Sequence, residues 1–103
     1  AYLTNGGAIV TQELTTNRKQ AAESLRIIRG VSFLPTFSPY DGVQDVIKHF
    51  DNKTAGRKMI LVVSDGLDMS LGYNYASPYF SISLNKSIKE AQRNSIAVFT
   101  IYA

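Results

Sequence analysis

The run Met59-Ile60-Leu61-Val62-Val63 constrains the fold more than any other part of the chain. It has the length of one strand and is rich in β-branched residues. Polar residues 52–58 precede it, and Ser64-Asp65-Gly66 follows it. Unbroken apolarity predicts a strand covered on both faces, as in a parallel α/β sheet. The rest of the chain can supply a core. Over 103 residues, 45% are hydrophobic and 18% charged, which fits one small domain and excludes a disordered tail.

The flanking patterns supply the other elements. Tyr2-Leu3-Thr4 precedes Asn5-Gly6-Gly7, a tight-turn signal, and residues 8–14 read as a strand. A hairpin is expected, its first strand beginning before residue 1. Thr15-Thr16-Asn17 offers helix caps, and Ala21, Ala22, Leu25 and Ile28 recur at helical spacing up to Gly30. The spacing predicts an amphipathic helix over 17–29. Ser38-Pro39-Tyr40-Asp41 is a helix start, with Pro at the first helical position. Val43, Val46, Ile47 and Phe50 then follow the i, i+3, i+4, i+7 rule, predicting a helix over 39–51 with His49 at its boundary. A long polar and aromatic loop over 66–82 precedes a third helix, 83–94, and a last strand, 96–102. The order is β-β-α-α-β-α-β. Strand–helix–strand crossovers of this length make parallel pairs with helices stacked on the sheet.

Composition removes several function classes. Cys is absent and His49 is the one histidine, so thiolate and His-rich metal sites are excluded. A net charge of +3, with no basic run longer than Arg18-Lys19 or Arg57-Lys58, does not imply nucleic acid. No apolar run is long enough to span a membrane, and no basic-then-apolar leader is visible. Two N-glycosylation patterns, Asn52-Lys53-Thr54 and Asn85-Lys86-Ser87, are short enough to arise by chance.

The chemistry-bearing residues cluster where the apolar strand ends, at Ser64, Asp65, Gly66 and Asp68. Open α/β sheets bind ligands at the carboxyl ends of their strands, and carboxylates there suit a hard cation such as Mg²⁺. A plain Asp-Gly turn is the other reading. Asp65 and Asp68 are three apart, the wrong spacing for a haloacid-dehalogenase phosphatase loop, and neither a G-x-S-x-G elbow nor a phosphate-binding G-x-x-x-x-G-K-[ST] loop occurs. Tyr73, Tyr75, Tyr79 and Phe80 lie in the loop after Asp65. Tyrosines there suit a partner-binding surface, or they fold back over the sheet.

Four segments carry a family resemblance. Gly56-Arg-Lys-Met-Ile-Leu-Val-Val-Ser-Asp-Gly-Leu-Asp68 resembles the strand-four segment of von Willebrand factor type A domains. Thr15-Thr16-Asn17 resembles their helix entry after the edge hairpin. Ser38-Pro-Tyr-Asp-Gly-Val-Gln44 resembles the L-Y-D-A-L/I helix start. Ala91-Gln-Arg-Asn-Ser-Ile-Ala-Val-Phe-Thr-Ile-Tyr-Ala103 resembles the A-x-x-x-G-V-x-V-Y-T-I passage. The four fall in family order over nearly the whole chain, and the bacterial branch of related proteins is the most similar.

The resemblance implies a Rossmann-like α/β fold: a mostly parallel sheet with an antiparallel edge hairpin and helices on both faces. It further implies a protein-binding or adhesion module, not an enzyme, secreted or at the cell envelope. Its Mg²⁺ (or Mn²⁺ or Ca²⁺) would be completed by a partner's carboxylate. Asp65 matches the family's strand-four metal residue, often acting through water. Thr36 and Ser38 lie near the second-loop position, where alignment on Tyr40-Asp41 puts Phe37. Tyr73, Tyr75, Tyr79 and Asp68 are the expected partner contacts. The family's D-x-S-x-S loop is not in the sequence, where the first Asp is Asp41. Residues 1–103 therefore read as the C-terminal portion of one such domain, dependent on the rest of its parent protein. The alternatives are a Mg²⁺-dependent Rossmann-like hydrolase using Asp65 as a metal ligand, and a structural α/β piece with no ligand.

Overall fold

The computed structural model describes residues 1–4, 7–25, 38–50, 56–75 and 77–102. Their elements are β1 (Tyr2–Thr4), β2 (Gly7–Ile9), α1 (Arg18–Glu23), α2 (Pro39–His49), β3 (Lys58–Ser64), α3 (Ile82–Arg93) and β4 (Ile96–Tyr102), with short 3-10 turns at Tyr73–Tyr75 and Pro78–Phe80. The chain is a small α/β structure with a parallel strand pair and three helices among the described residues. None of these helices is long and apolar enough to cross a membrane.

The parallel pair is built as its sequence dictates. β3 pairs in register with β4 from Lys58↔Ile96 to Ser64↔Tyr102, and α3 makes the crossover between them. α2 begins where Ser38, in an extended conformation, lets its hydroxyl accept from the Tyr40 N–H at 3.2 Å. Pro39 needs no N–H partner in that first turn, and Asp41 sits at the positive end of the helix dipole. α3 starts in the same way. The Ser81 hydroxyl accepts from the Leu84 N–H at 3.0 Å. It ends at Asn94 and turns into β4 through Ser95, whose φ of +55° is left-handed.

α2 and α3 pack on one face of the parallel pair. Val43 and Ile47 from α2, Ile60 from β3, Ala91 from α3 and Ile96 from β4 form the buried core, with Val46, Phe50 and Val62 against it. Each fully buried aliphatic of this kind contributes about 1.5–3 kcal/mol. Among the described residues no helix lies on the other face. Met59, Leu61 and Val63 are exposed by 64%, 62% and 62%. Continuous apolarity in the sequence has become alternating burial in the strand, because side chains alternate between faces and the described helices α2 and α3 stand on one of them.

The N-terminal hairpin departs from expectation too. β1 and β2 pair antiparallel, Tyr2↔Ile9 to Thr4↔Gly7, but form a two-stranded sheet of their own and not an edge of the parallel pair. β2 ends at Ile9 and does not run on to Leu14. Ile9 pairs with Tyr2, and residues 11–14 are not in a strand. The hairpin lies beside α2, where Ala1, Val10 and Leu14 share a shallow cavity of about 150 Å³ with Val46, His49 and Phe50. α1 is shorter than the expected 17–29. Asn17 caps it by accepting from the Lys19 and Gln20 N–H groups, and Ser24 closes it, with Leu25 exposed. Residues 26–29 lie outside the described residues.

Candidate functional site at the carboxyl end of the parallel pair

β3 delivers Ser64 to the sheet rim, and the chain then turns sharply. The Ser64 hydroxyl accepts from the Gly66 N–H at 3.1 Å, and Asp65 Oδ1 accepts from the Leu67 N–H at 3.1 Å. Gly66 has a φ of +74°, which a side chain would strain. Its carbonyl accepts from the Tyr40 hydroxyl at 2.9 Å, tying the rim to the first turn of α2. Asp65 itself is exposed.

Asp68 is the most extensively hydrogen-bonded side chain here. Its side chain is buried, at 2% exposure, and both oxygens are fully engaged. Oδ2 accepts from the Ser38 hydroxyl at 2.6 Å and from the Ser81 hydroxyl. Oδ1 accepts from the Ser70 N–H at 3.0 Å and the Ser70 hydroxyl at 2.6 Å. A carboxylate has about four acceptor directions, and all are taken. Ser38 and Ser81 are the N-caps of α2 and α3, so one negative charge closes the positive ends of two helices. Burial pushes the Asp68 carboxyl up. The Ser38, Ser70 and Ser81 hydroxyls and the Ser70 N–H outweigh this and hold it below the usual carboxylate range. Tyr40 shifts the other way. Burial raises it first, and the negative charges of Asp68 and Asp65 add to the rise, so both carboxylates are felt at that hydroxyl.

These placements separate the expected site residues. Asp65 and Ser38 do belong to one rim, linked through Tyr40, Gly66 and Asp68. Thr36 lies outside the described residues. Asp68, expected as a partner contact, is instead an internal brace, because its burial removes it from any partner's reach. Tyr75 and Tyr79 are exposed, Tyr79 by 95%, and the Tyr75 ring meets Phe80 edge-on at 5.6 Å between centroids. Tyr73 contributes backbone to the first 3-10 turn. Two contributors escape sequence reading. Ser81 carried a signal, a Ser just before an apolar-periodic run. The Tyr40–Gly66 tie spans 26 residues and carried none.

The donor set can be tested against a divalent cation. Among the described residues no group of three or more His, Asp or Glu side chains is placed to hold a metal ion. Asp65 has one free carboxylate oxygen beyond its turn bond. The Ser38 hydroxyl is engaged twice, by the Tyr40 N–H and by Asp68. One carboxylate is too few for Mg²⁺, which demands six oxygens, so these residues alone do not fit the ion. What the rim does offer is an exposed carboxylate on a backbone held from several sides, next to exposed aromatic rings. No protein-family model, no curated protein and no solved structure matches the chain.

Proposed function

We propose that this chain is part of a protein-binding module that meets its partner at the carboxyl end of β3, in keeping with the von Willebrand factor A resemblance. One observation carries the reading. Asp65 stands exposed on a rim fixed by the Tyr40–Gly66 bond and by Asp68, with Tyr75 and Tyr79 exposed in the loop that follows. A fixed rim loses little conformational entropy on binding, and tyrosines bring large contact area with a polar tip. Nothing in the arrangement requires catalysis. A divalent cation would have to draw its remaining ligands from outside residues 1–103, with Asp65 as this chain's contribution.

Mn²⁺ titration followed by paramagnetic broadening of backbone amide signals tests the assignment, because it detects even weak association. Broadening is expected around residues 64–68 and is lost in Asp65→Asn. Broadening centred on Asp41 and Asp45, or unchanged in Asp65→Asn, removes Asp65 from the site. For the partner surface, Tyr75→Ala and Tyr79→Ala are expected to weaken binding of the parent protein's ligand without moving the melting temperature.

A further inference from the structure

We propose that Asp65-Gly66 is a site of spontaneous aspartate isomerisation, which the Ser64 hydroxyl holds in check by engaging the Gly66 N–H. The turn itself creates the hazard. Gly66 has a φ of +74°, a conformation that glycine adopts without strain and other residues do not. A glycine after an aspartate has no side chain to shield its nitrogen from the carboxyl carbon. Among the described residues, the atom nearest to the place a Cβ would take there is the Tyr40 hydroxyl oxygen, 4.0 Å away. The Asp65 carboxylate is folded back along the chain, where it accepts from the Leu67 N–H at 3.1 Å.

In the reaction the Gly66 nitrogen attacks the Asp65 carboxyl carbon. The carboxyl hydroxyl and the N–H proton leave as water, and an imide ring closes between the two residues. Water then opens the ring. Opening at the side-chain carbonyl restores aspartate. Opening at the main-chain carbonyl leaves the main chain running through Cβ, which is isoaspartate. Mass is unchanged over the two steps, and neither oxidant nor cofactor is needed. Ring closure requires the Gly66 nitrogen to give up its proton and its planar amide geometry. In the folded chain the Ser64 hydroxyl accepts that N–H at 3.1 Å, and the Tyr40 hydroxyl holds the Gly66 carbonyl at 2.9 Å. Both bonds resist the rotation that brings the nitrogen to the carboxyl carbon. They lie within residues 64–67 and Tyr40, so they act whatever the parent protein packs against the rim.

The product dismantles the turn. Isoaspartate adds a methylene to the main chain between Ser64 and Gly66 and leaves the carboxylate directly on Cα. Gly66 then no longer meets both the Ser64 and the Tyr40 hydroxyls. For the binding reading of Asp65, on which this consequence alone rests, the rim is lost as the chain ages. Asp68 lies in the same segment but is spared. Met69 follows it, and hydrogen bonds from Ser38, Ser70 and Ser81 occupy its carboxylate.

Trypsin cuts after Lys58 and Lys86 and so releases residues 59–86 as one peptide, in which electron-driven fragmentation locates isoaspartate. The chain is kept warm for weeks in EDTA at near-neutral pH, folded and in guanidinium chloride. Isoaspartate is expected at residue 65 and not at residue 68, slowly in the folded chain and about tenfold or more faster in denaturant. Ser64→Ala is expected to quicken it about fivefold in the folded chain, the ratio that one net hydrogen bond gives, and Ser64→Thr to keep the wild-type rate. Ile60→Ala, which loosens the core without touching the turn, should keep the wild-type rate as well. Should Ser64→Ala not fold, Tyr40→Phe repeats the test by freeing Gly66 from the other side. Equal rates in the folded and the denatured chain overturn the proposal. So do a Ser64→Ala rate equal to wild type, a rise in Ile60→Ala that matches that of Ser64→Ala, and a denatured chain that forms no isoaspartate at residue 65. The readout needs neither cation nor partner, so its failure is distinguishable from failure of the binding reading.

Discussion

Replacing Asp68 by Asn tests the brace between the two helix starts. Asn keeps the shape and one oxygen. Left at the Oδ2 position, that oxygen still accepts from the buried Ser38 and Ser81 hydroxyls. The amide N–H groups then face Ser70, whose backbone N–H loses its acceptor, whereas its hydroxyl can turn and accept from the amide. A hydrogen bond to a charged group contributes about 1.5–3 kcal/mol when buried, and less beside exposed Ser70. Losing one of them and weakening the hydroxyl contacts, together with the charge at two helix ends at about 0.3–1 kcal/mol each, gives about 2 kcal/mol for Asp68→Asn. Asp68→Ala also strands two buried hydroxyls and is expected to cost about 4 kcal/mol. A chain of this size has about 5–15 kcal/mol in all, so the Asn variant should melt about 10 °C lower. The difference must also depend on pH. Asp68 is held below its ordinary range when folded, so its stabilisation is fully present above the unfolded value near 4 and is lost as pH falls through the folded value. Urea denaturation followed by circular dichroism should show a gap between wild type and Asp68→Asn that narrows in acid. A gap that stays constant from neutral pH to below pH 3, or one under about 0.5 kcal/mol at neutral pH, would refute the brace.

Three further outcomes follow from the geometry. Ile60→Ala is expected to cost about 3 kcal/mol, and Leu61→Ala, one step along the same strand, less than about 1 kcal/mol; equal costs in denaturation would mean that β3 is covered on both sides. Ser81→Ala removes the α3 cap and an Asp68 partner together, so about 2 kcal/mol should be lost, and hydrogen exchange should quicken in the first turn of α3 before the rest of that helix. Tyr40→Phe should cost about 1 kcal/mol and remove from the ultraviolet phenolate titration one tyrosine that ionises above the usual value of 10, its stabilisation being lost as pH rises through that range.

The sequence was most legible where local rules act. Ser38, Pro39, Asp41 and the apolar spacing after them define α2 without reference to anything distant, and the helix runs Pro39–His49 beneath its Ser38 cap. The last strand, 96–102, falls where its β-branched run lies. Tertiary choices were not legible. The run 59–63 is apolar on both faces, and no spacing could say on which of them α2 and α3 would stand. Residues 8–14 have strand composition, yet composition cannot say how far pairing runs, and the strand pairs only to Ile9. At the rim, Asp65 was recognisable as the acid that ends an apolar strand. Asp68 was not recognisable as a brace, because its partners Ser38 and Ser81 lie 30 and 13 residues away.

The same-direction pairing of β3 and β4 has a practical corollary. Ser64 and Tyr102 are register partners, so the polypeptide leaves β4 alongside the Asp65 turn. An affinity tag or fluorophore inserted directly after Tyr102 would emerge there and crowd the surface whose binding is to be measured. Ala1 lies instead near His49 and Phe50, at the far end of α2 from Ser38. A label placed beside Ala1 leaves the Asp65 rim clear for surface-immobilised assays.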